Sequence, residues 1–266
     1  MKEHHYILSI AGFDPSGGAG IMADVQTFQA HGLYGLAVCT AITVQNDIEF
    51  KSCEWIEEQL VLDQIEMLFK RFKIKVIKIG IVPHWKRLLR IIEKLRAYDA
   101  ELTIVVDPVL KASAGFDFHS KDEMGILDKV LEKIDLITPN DEEVQLLFPS
   151  KSVQDTLAFM QERTAVYHKG GHRKDKRGWD VLYMHQGDTL EIPPEAATIY
   201  EKHGSGCVLS AALASQLALG NAMEKAGILA KAYTEAFLNS HTGHLGTHAT
   251  IAPETLTTYC TDKKEA

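Results

Sequence analysis

The sequence predicts an α/β fold in which a mostly parallel central β-sheet is flanked by helices on both faces. Three observations lead there. Short apolar runs alternate with helix-period segments along most of the chain. The runs are apolar throughout, as in strands covered on both sides, and lack the strict alternation of a sheet with one wet face. They also end in polar or glycine-rich residues, and open α/β sheets gather their ligands beyond the carboxyl ends of their strands.

Taken in order, residues 6–11 (YILSIA) form the first run, which stops at Gly12. Residues 20–31 then repeat at helical spacing, so strand, glycine-rich loop and helix follow one another. Residues 36–44 predict a second strand closing on Gln45, Asn46 and Asp47. Residues 54–72 predict a long amphipathic helix, 75–79 a third strand ending at Gly80, and 84–98 a helix. An almost wholly apolar strand at 102–106 ends on Asp107 and Pro108. A helix at 122–134 follows, then a strand at 136–138 with Pro139 and Asn140 behind it. Another helical stretch leads to a strand at 166–168 and to Lys169, Gly170 and Gly171. In 179–192 a Gln-Gly-Asp turn between two β-like runs predicts an edge hairpin. Two alanine-rich helices, 207–219 and 222–239, close the pattern. With no repeat, low-complexity tract or linker, the expectation is a single domain over 1–266.

Composition narrows the function classes. At 266 residues, 45% hydrophobic and 24% charged, the chain reads as an ordinary soluble globule. A formal charge of −8 argues against broad binding to nucleic acid or to an anionic membrane, both of which need a basic surface. A phosphate site must therefore be local. No apolar run approaches membrane-spanning length. Cys39, Cys53, Cys207 and Cys260 form no CxxC pair and no signal peptide precedes them, which points to the reducing cytoplasm.

The most chemically loaded stretch is 202–220 (KHGSGCVLSAALASQLALG), a glycine-rich turn running into a helix of small residues. Gly204 and Gly206 let a ligand approach the backbone, and the amides at Ser205 and Cys207 fall where a helix starts. Unpaired N–H groups and the positive end of the macrodipole would favour a phosphate there and bias Cys207 toward thiolate. The alternative is a turn that merely lets a small-residue helix pack closely.

The loop 12–20 (GFDPSGGAG) matches neither GxxxxGK[ST] nor GxGxxG, so it is a glycine loop of another kind. On the helix behind it, Asp24 can accept from a ligand's N–H or O–H, or act only as a capping or surface carboxylate. Gln45 has an amide suited to reading a heteroaromatic edge, and is equally an ordinary loop glutamine. Asn140–Glu143 (NDEE) has the form of a capping box; alternatively Glu143 and Asp107 help hold hydrated Mg²⁺, which needs few carboxylates when a nucleotide supplies oxygens. Lys169 at a strand end can reach a nucleotide phosphate as a point charge, or be a solvated surface residue. A zinc reading of His241, His244 and His248 is set aside, because Gly243 and Gly246 interrupt the helix.

Together, AGFDPSGGAGIMAD, TVQND, KIG, DPV, TPNDEE, KGGH and HGSGC, in this order, resemble the hydroxymethylpyrimidine and phosphomethylpyrimidine kinases of thiamin biosynthesis, within the ribokinase-like superfamily. The resemblance runs from about residue 6 to 232. It implies a ribokinase-like sheet, ATP with Mg²⁺ on one side of the site, a small heteroaromatic alcohol or phosphate ester on the other, and a homodimer. Gly12, Asp24 and Gln45 match positions that hold the pyrimidine, and Ile81 and Val109 match apolar positions lining the ring. Cys207 matches the residue beside the reacting oxygen, within the catalytic turn Gly204, Ser205 and Gly206. Asn140 and Glu143 match the magnesium-linked pattern, and Lys169 a phosphate-contacting lysine. Phe13 stands where serine or threonine is usual, Ile81 where methionine is common, and VLKASAG departs from the usual lysine-containing lid. The implied activity is phosphorylation of 4-amino-5-hydroxymethyl-2-methylpyrimidine and its monophosphate; the alternatives are a pyridoxal or pyridoxine kinase and a catalytically silent vitamin-binding protein.

Overall fold

The computed structural model describes residues 5–110, 124–171, 173, 176–196 and 198–250. Within these residues nine strands form one sheet: β1 (Tyr6–Phe13), β2 (Tyr34–Gln45), β3 (Phe50–Trp55), β4 (Ile74–Ile79), β5 (Thr103–Val106), β6 (Leu136–Ile137), β7 (Ala165–His168), β8 (Asp180–Tyr183) and β9 (Thr189–Ile192). Their spatial order is β3-β2-β1-β4-β5-β6-β7-β8-β9. From β2 to β7 every pairing is parallel, while β3, β8 and β9 join antiparallel at the two edges. The order reverses at β1, which lies between β2 and β4. That switch point opens a crevice beyond the carboxyl ends of β1 and β4, the place where such sheets bind ligands.

Among the described residues eight helices cover the sheet: α1 (Gly20–Ala30), α2 (Glu58–Phe69), α3 (Trp85–Tyr98), α4 (Met124–Leu131), α5 (Asp141–Leu147), α6 (Val153–Gln161), α7 (Ser205–Ala218) and α8 (Met223–Leu238). Alternate strand residues feed two cores. Leu8, Ile10, Ile77, Ile79, Ile104 and Val106 pack against α2 to α6 on one face. Ile7, Val76, Val105, Leu136 and Tyr167 pack against α1, α7 and α8 on the other. Both faces of β1, β4, β5, β6 and β7 are therefore largely dry, which is why these strands read as apolar runs, whereas β2, next to the edge strand, leaves Ile42 and Val44 half exposed. Helix α7 is buried continuously from Val208 to Gln216, and its alanines and serines let α1 and α8 approach closely. No helix among the described residues is long and apolar enough to cross a membrane.

Sequence expectations change in two places. Residues 54–72 are not one helix: 50–55 form edge strand β3, and α2 starts only at Glu58, with Glu57 as its cap. A hairpin loop, in which Asn46 Oδ1 accepts from the Ile48 and Glu49 amides, turns the chain back along β2. The helical stretch after Asn140 is two short helices separated at Phe148–Ser152. The expected start of the helix at 122, the lid segment from Lys111 onward and Cys260 lie outside the described residues. The 179–192 hairpin is present as β8 and β9.

Candidate active site

The site begins where two glycine-rich segments touch. Gly204 caps α7 in the left-handed region, φ 72°, and a Cβ there would lie 1.9 Å from the Gly18 carbonyl oxygen. Only glycine brings the two backbones this close. The contact is held by Asp14, which accepts from Ser16 N (2.9 Å), Ala19 N (2.9 Å) and His203 Nε2 (2.8 Å). Burial works against the Asp14 carboxylate, but the bonds from His203 and Ser16 outweigh it and hold the group below its usual range. The chain thus delivers the first amides of α7, at Ser205, Gly206 and Cys207, to the mouth of the crevice, where they have no intrahelical acceptor.

Opposite those amides stands Lys169. A Cβ on Gly206 would meet Lys169 Nζ at 3.4 Å, so the ammonium and the start of α7 face the same space. Lys169 Nζ donates to Asp107 Oδ1 at 2.9 Å and lies 3.4 Å from Glu143 Oε2. Asp107 also accepts from Thr138 Oγ1 (3.2 Å) and Ser210 Oγ (3.1 Å). The ends of β5, β6 and β7 and helix α7 therefore meet at one carboxylate. Burial pulls Lys169 toward neutrality, but the Asp107 and Glu143 carboxylates hold it charged. Burial raises Glu143 to about 7, against the opposing pull of Lys169.

Glu143 is also the far end of a capping box. Asn140 N donates to Glu143 Oε2 (2.7 Å), and Glu143 N donates to Asn140 Oδ1 (2.9 Å). Asn140 is bridged to Lys169 across the ends of β6 and β7, so capping and proximity to the cation coexist.

On the β1 side, the Ile81 side chain lies against Gly12: a Cβ on Gly12 would clash with Ile81 Cδ1 at 2.4 Å. Gly12 and Ile81, at the ends of β1 and β4, form one wall at the switch point; Val109 follows β5 and Gln45 ends β2.

Two expectations are corrected. The Asp24 carboxylate is fully buried and taken up by Ser9 Oγ (2.6 Å) and Lys78 Nζ (2.9 and 3.0 Å), so it is not presented to a ligand. Cys207 is not biased toward thiolate: burial pushes its thiol to about 11, and Lys78 and the Gly20 backbone only partly offset this. Residues given no role in the sequence are Lys78, Thr138, His203 and Ser210, while Asp14, expected at the ligand end of β1, holds the glycine contact there. Lys78 carried a signal, a lysine in the otherwise apolar end of β4 (IKVIKI).

The fit to Mg²⁺ can be judged from the donors. Among the described residues no group of three or more His, Cys, Asp and Glu side chains is placed to hold a metal ion. Asp107 and Glu143 instead converge on Lys169 with most of their oxygens already accepting bonds. This suits a hydrated ion that draws most of its ligands from water and phosphate and excludes a closed protein cage.

A ribokinase-like sheet with a lysine and a glycine-capped helix start facing one crevice defines the chain as an α/β phosphotransferase. The model of the phosphomethylpyrimidine kinase family matches residues 14–252, and the chain belongs to that family. The hydroxymethylpyrimidine/phosphomethylpyrimidine kinase of Rhizobium meliloti is 34% identical over 243 residues, 88% of this chain and 90% of the relative. Among solved structures, a phosphomethylpyrimidine kinase from Clostridium difficile superposes with a TM-score of 0.71 at 33% identity, covering 86% of this chain and 97% of that one. A pyridoxal kinase from Staphylococcus aureus in complex with AMP-PCP has a TM-score of 0.77 at 25% identity, covering 89% of each chain.

Proposed function

We propose that the protein transfers the γ-phosphoryl group of ATP to the hydroxymethyl oxygen of 4-amino-5-hydroxymethyl-2-methylpyrimidine, and then a second phosphoryl group to the monophosphate, in thiamin biosynthesis. The observation that carries the reading is the convergence of Lys169 Nζ and the first amides of α7 on one space, beside Gly206. In the transfer, the bond from the acceptor oxygen to Pγ forms, the Pγ–O bond to the β-phosphate breaks, ADP leaves and the hydroxyl proton is released. Such transfers need positioning and charge stabilisation more than covalent help.

Each residue has a stated part. Lys169 neutralises the nucleotide phosphates, and the amides of Ser205, Gly206 and Cys207 meet charge on the transferred group, where one well-placed donor contributes about 10²- to 10³-fold. Glu143, and Asp107 behind it, would attract hydrated Mg²⁺, which when bound screens the phosphate charge. Gln45 reads the ring edge, and Gly12, Ile81 and Val109 line the ring. Cys207, a neutral thiol, orients the acceptor hydroxyl.

Pyridoxal is the second reading, favoured by the likeness of fold to the S. aureus pyridoxal kinase. Comparing kcat/KM for the pyrimidine alcohol, its monophosphate and the pyridoxine vitamers with MgATP decides. The proposal expects the pyrimidines to lead. A higher value for pyridoxal overturns the substrate assignment, and no turnover with any of them overturns the activity.

A further inference from the structure

Helix α8 carries a buried lysine, Lys231, that the proposed chemistry does not use. Lys231 Nζ donates to the Gly178 carbonyl (2.6 Å) and to Asp180 Oδ2 (3.1 Å), and lies 3.4 Å from Glu235 Oε1, one turn further along the helix. All three residues are at most 9% exposed.

What the two carboxylates do next is the informative part. Asp180 Oδ1 accepts from the Gly170 amide at 2.6 Å, and Asp180 Oδ2 accepts from Tyr167 OH at 2.8 Å. Gly170 is the residue after Lys169, and its Cα is pressed so closely to Trp179 that a Cβ would lie 1.8 Å from the Trp179 carbonyl oxygen. Gly178 N donates in turn to the Gly170 carbonyl at 2.8 Å. Glu235 Oε2 accepts from the Glu195 (3.0 Å) and Ala196 (2.9 Å) amides, in the connection that leads from β9 to the Gly204 turn. One lysine thus joins the backbone that presents Lys169 to the backbone that leads into the start of α7. Lys169 and the start of α7 are the two components of the phosphate cradle.

Stability alone does not account for the arrangement, since buried ion pairs are often replaceable by well-packed apolar residues at little cost. Their distinguishing property is direction: each carboxylate here fixes named backbone amides. We propose that Lys231 is a positioning residue for nucleoside triphosphate binding, acting through Asp180 on the Gly170 turn and through Glu235 on the 195–196 backbone. The proposal rests on the reading of Lys169 and the α7 amides as the phosphate cradle.

The test is steady-state kinetics of Lys231→Met, Lys231→Arg and Glu235→Gln with MgATP and the pyrimidine alcohol varied in turn. Lys231→Met raises KM for MgATP at least ten-fold while KM for the pyrimidine stays within two-fold, and Lys231→Arg recovers part of the loss. Glu235→Gln, which removes a charge but keeps the side chain's shape, shows the same split to a smaller degree and provides the readout if Lys231→Met does not fold. Parallel rises in both KM values, or no rise in the KM for MgATP, overturn the proposal. Lys169→Ala separates it from its premise: if that variant binds MgATP as the parent does, the cradle reading fails; if its binding is weakened, the premise holds and the Lys231 and Glu235 variants alone decide the positioning role.

Discussion

Lys78 Nζ lies 2.9 Å and 3.0 Å from the two oxygens of Asp24, and both side chains are wholly shielded from water. Burial raises the Asp24 carboxyl above its usual range, and Lys78 together with the bond donated by Ser9 Oγ at 2.6 Å opposes that rise. Burial opposes the charge on Lys78, and the Asp24 carboxylate beside it overcomes that effect and keeps the ammonium protonated. The ammonium sits beneath the switch point, 3.3 Å from where a Cβ on Gly80 would be, and beside the Cys207 environment.

Removing one partner of such a pair leaves an unpaired buried charge. Lys78→Met should cost about 3 to 5 kcal/mol of folding stability, and adding Asp24→Leu should recover most of it, because two apolar groups need no solvation. Urea unfolding of the single and double variants measures this. A single variant within about 1 kcal/mol of the parent, or a double variant no better than the single, would show that the pair is not the buried unit described.

Glu143 gives a pH signature. Its folded value of about 7 lies above the 4.5 of an ordinary glutamate, so the folded state holds the extra proton. Its contribution to stability is therefore full below pH 4.5 and is lost as pH rises through 7. Metal attraction runs the other way, because only the carboxylate draws a hydrated cation. The kcat/KM for ATP at fixed Mg²⁺ should rise across the neutral range with a midpoint near 7. Glu143→Gln should abolish that limb and raise the Mg²⁺ needed for half-maximal rate. A limb that survives in the variant would leave Glu143 as a cap alone.

Gln45 ends β2 at the rim of the crevice. If its amide reads the ring edge, Gln45→Ala should weaken the pyrimidine by about 1 to 3 kcal/mol, roughly 5- to 150-fold, with MgATP affinity nearly unchanged. Titration calorimetry with each ligand tests this, and equal losses for both would remove Gln45 from substrate reading.

The parallel body was legible because β1, β4 and β5 carry apolar residues for two dry faces, and Gly12 near the end of β1, Gly80 after β4 and Asp107 after β5 all fall at the crevice. Strand β3 was not. Asn46 and Asp47 resemble the polar end of a strand, and the pairing that makes 50–55 extended is with β2, a partner invisible to local periodicity. The geometry of the candidate site was legible where chemistry and spacing coincide: the structure brings Lys169 and the turn at Gly204 to one space. It failed where burial decides: Asp24 is consumed by a lysine 54 residues away in sequence, and the desolvation of Cys207 outweighs the helix end that argued for a thiolate.

Cys207 tests that last balance. With a thiol near 11, on the order of one molecule in ten thousand is thiolate at neutral pH, so alkylation of Cys207 should be slow there and accelerate about ten-fold per pH unit. Peptide mapping of alkylated protein measures the rate site by site, and MgATP with substrate should slow it further. The kinetic consequence separates two roles. A residue that takes the acceptor proton contributes about 10²- to 10⁴-fold, whereas one that only orients the hydroxyl contributes a single hydrogen bond, about 0.5 to 1.5 kcal/mol or roughly 2- to 13-fold. A thiol this hard to ionise fits the second role. Cys207→Ala should therefore lower kcat by roughly ten-fold, and Cys207→Ser, which restores a small hydrogen-bonding group, should lie nearer the parent. Rapid alkylation at neutral pH together with a loss of several hundred-fold in Cys207→Ala would reverse the conclusion: the α7 amides would then outweigh burial, and Cys207 would be the base.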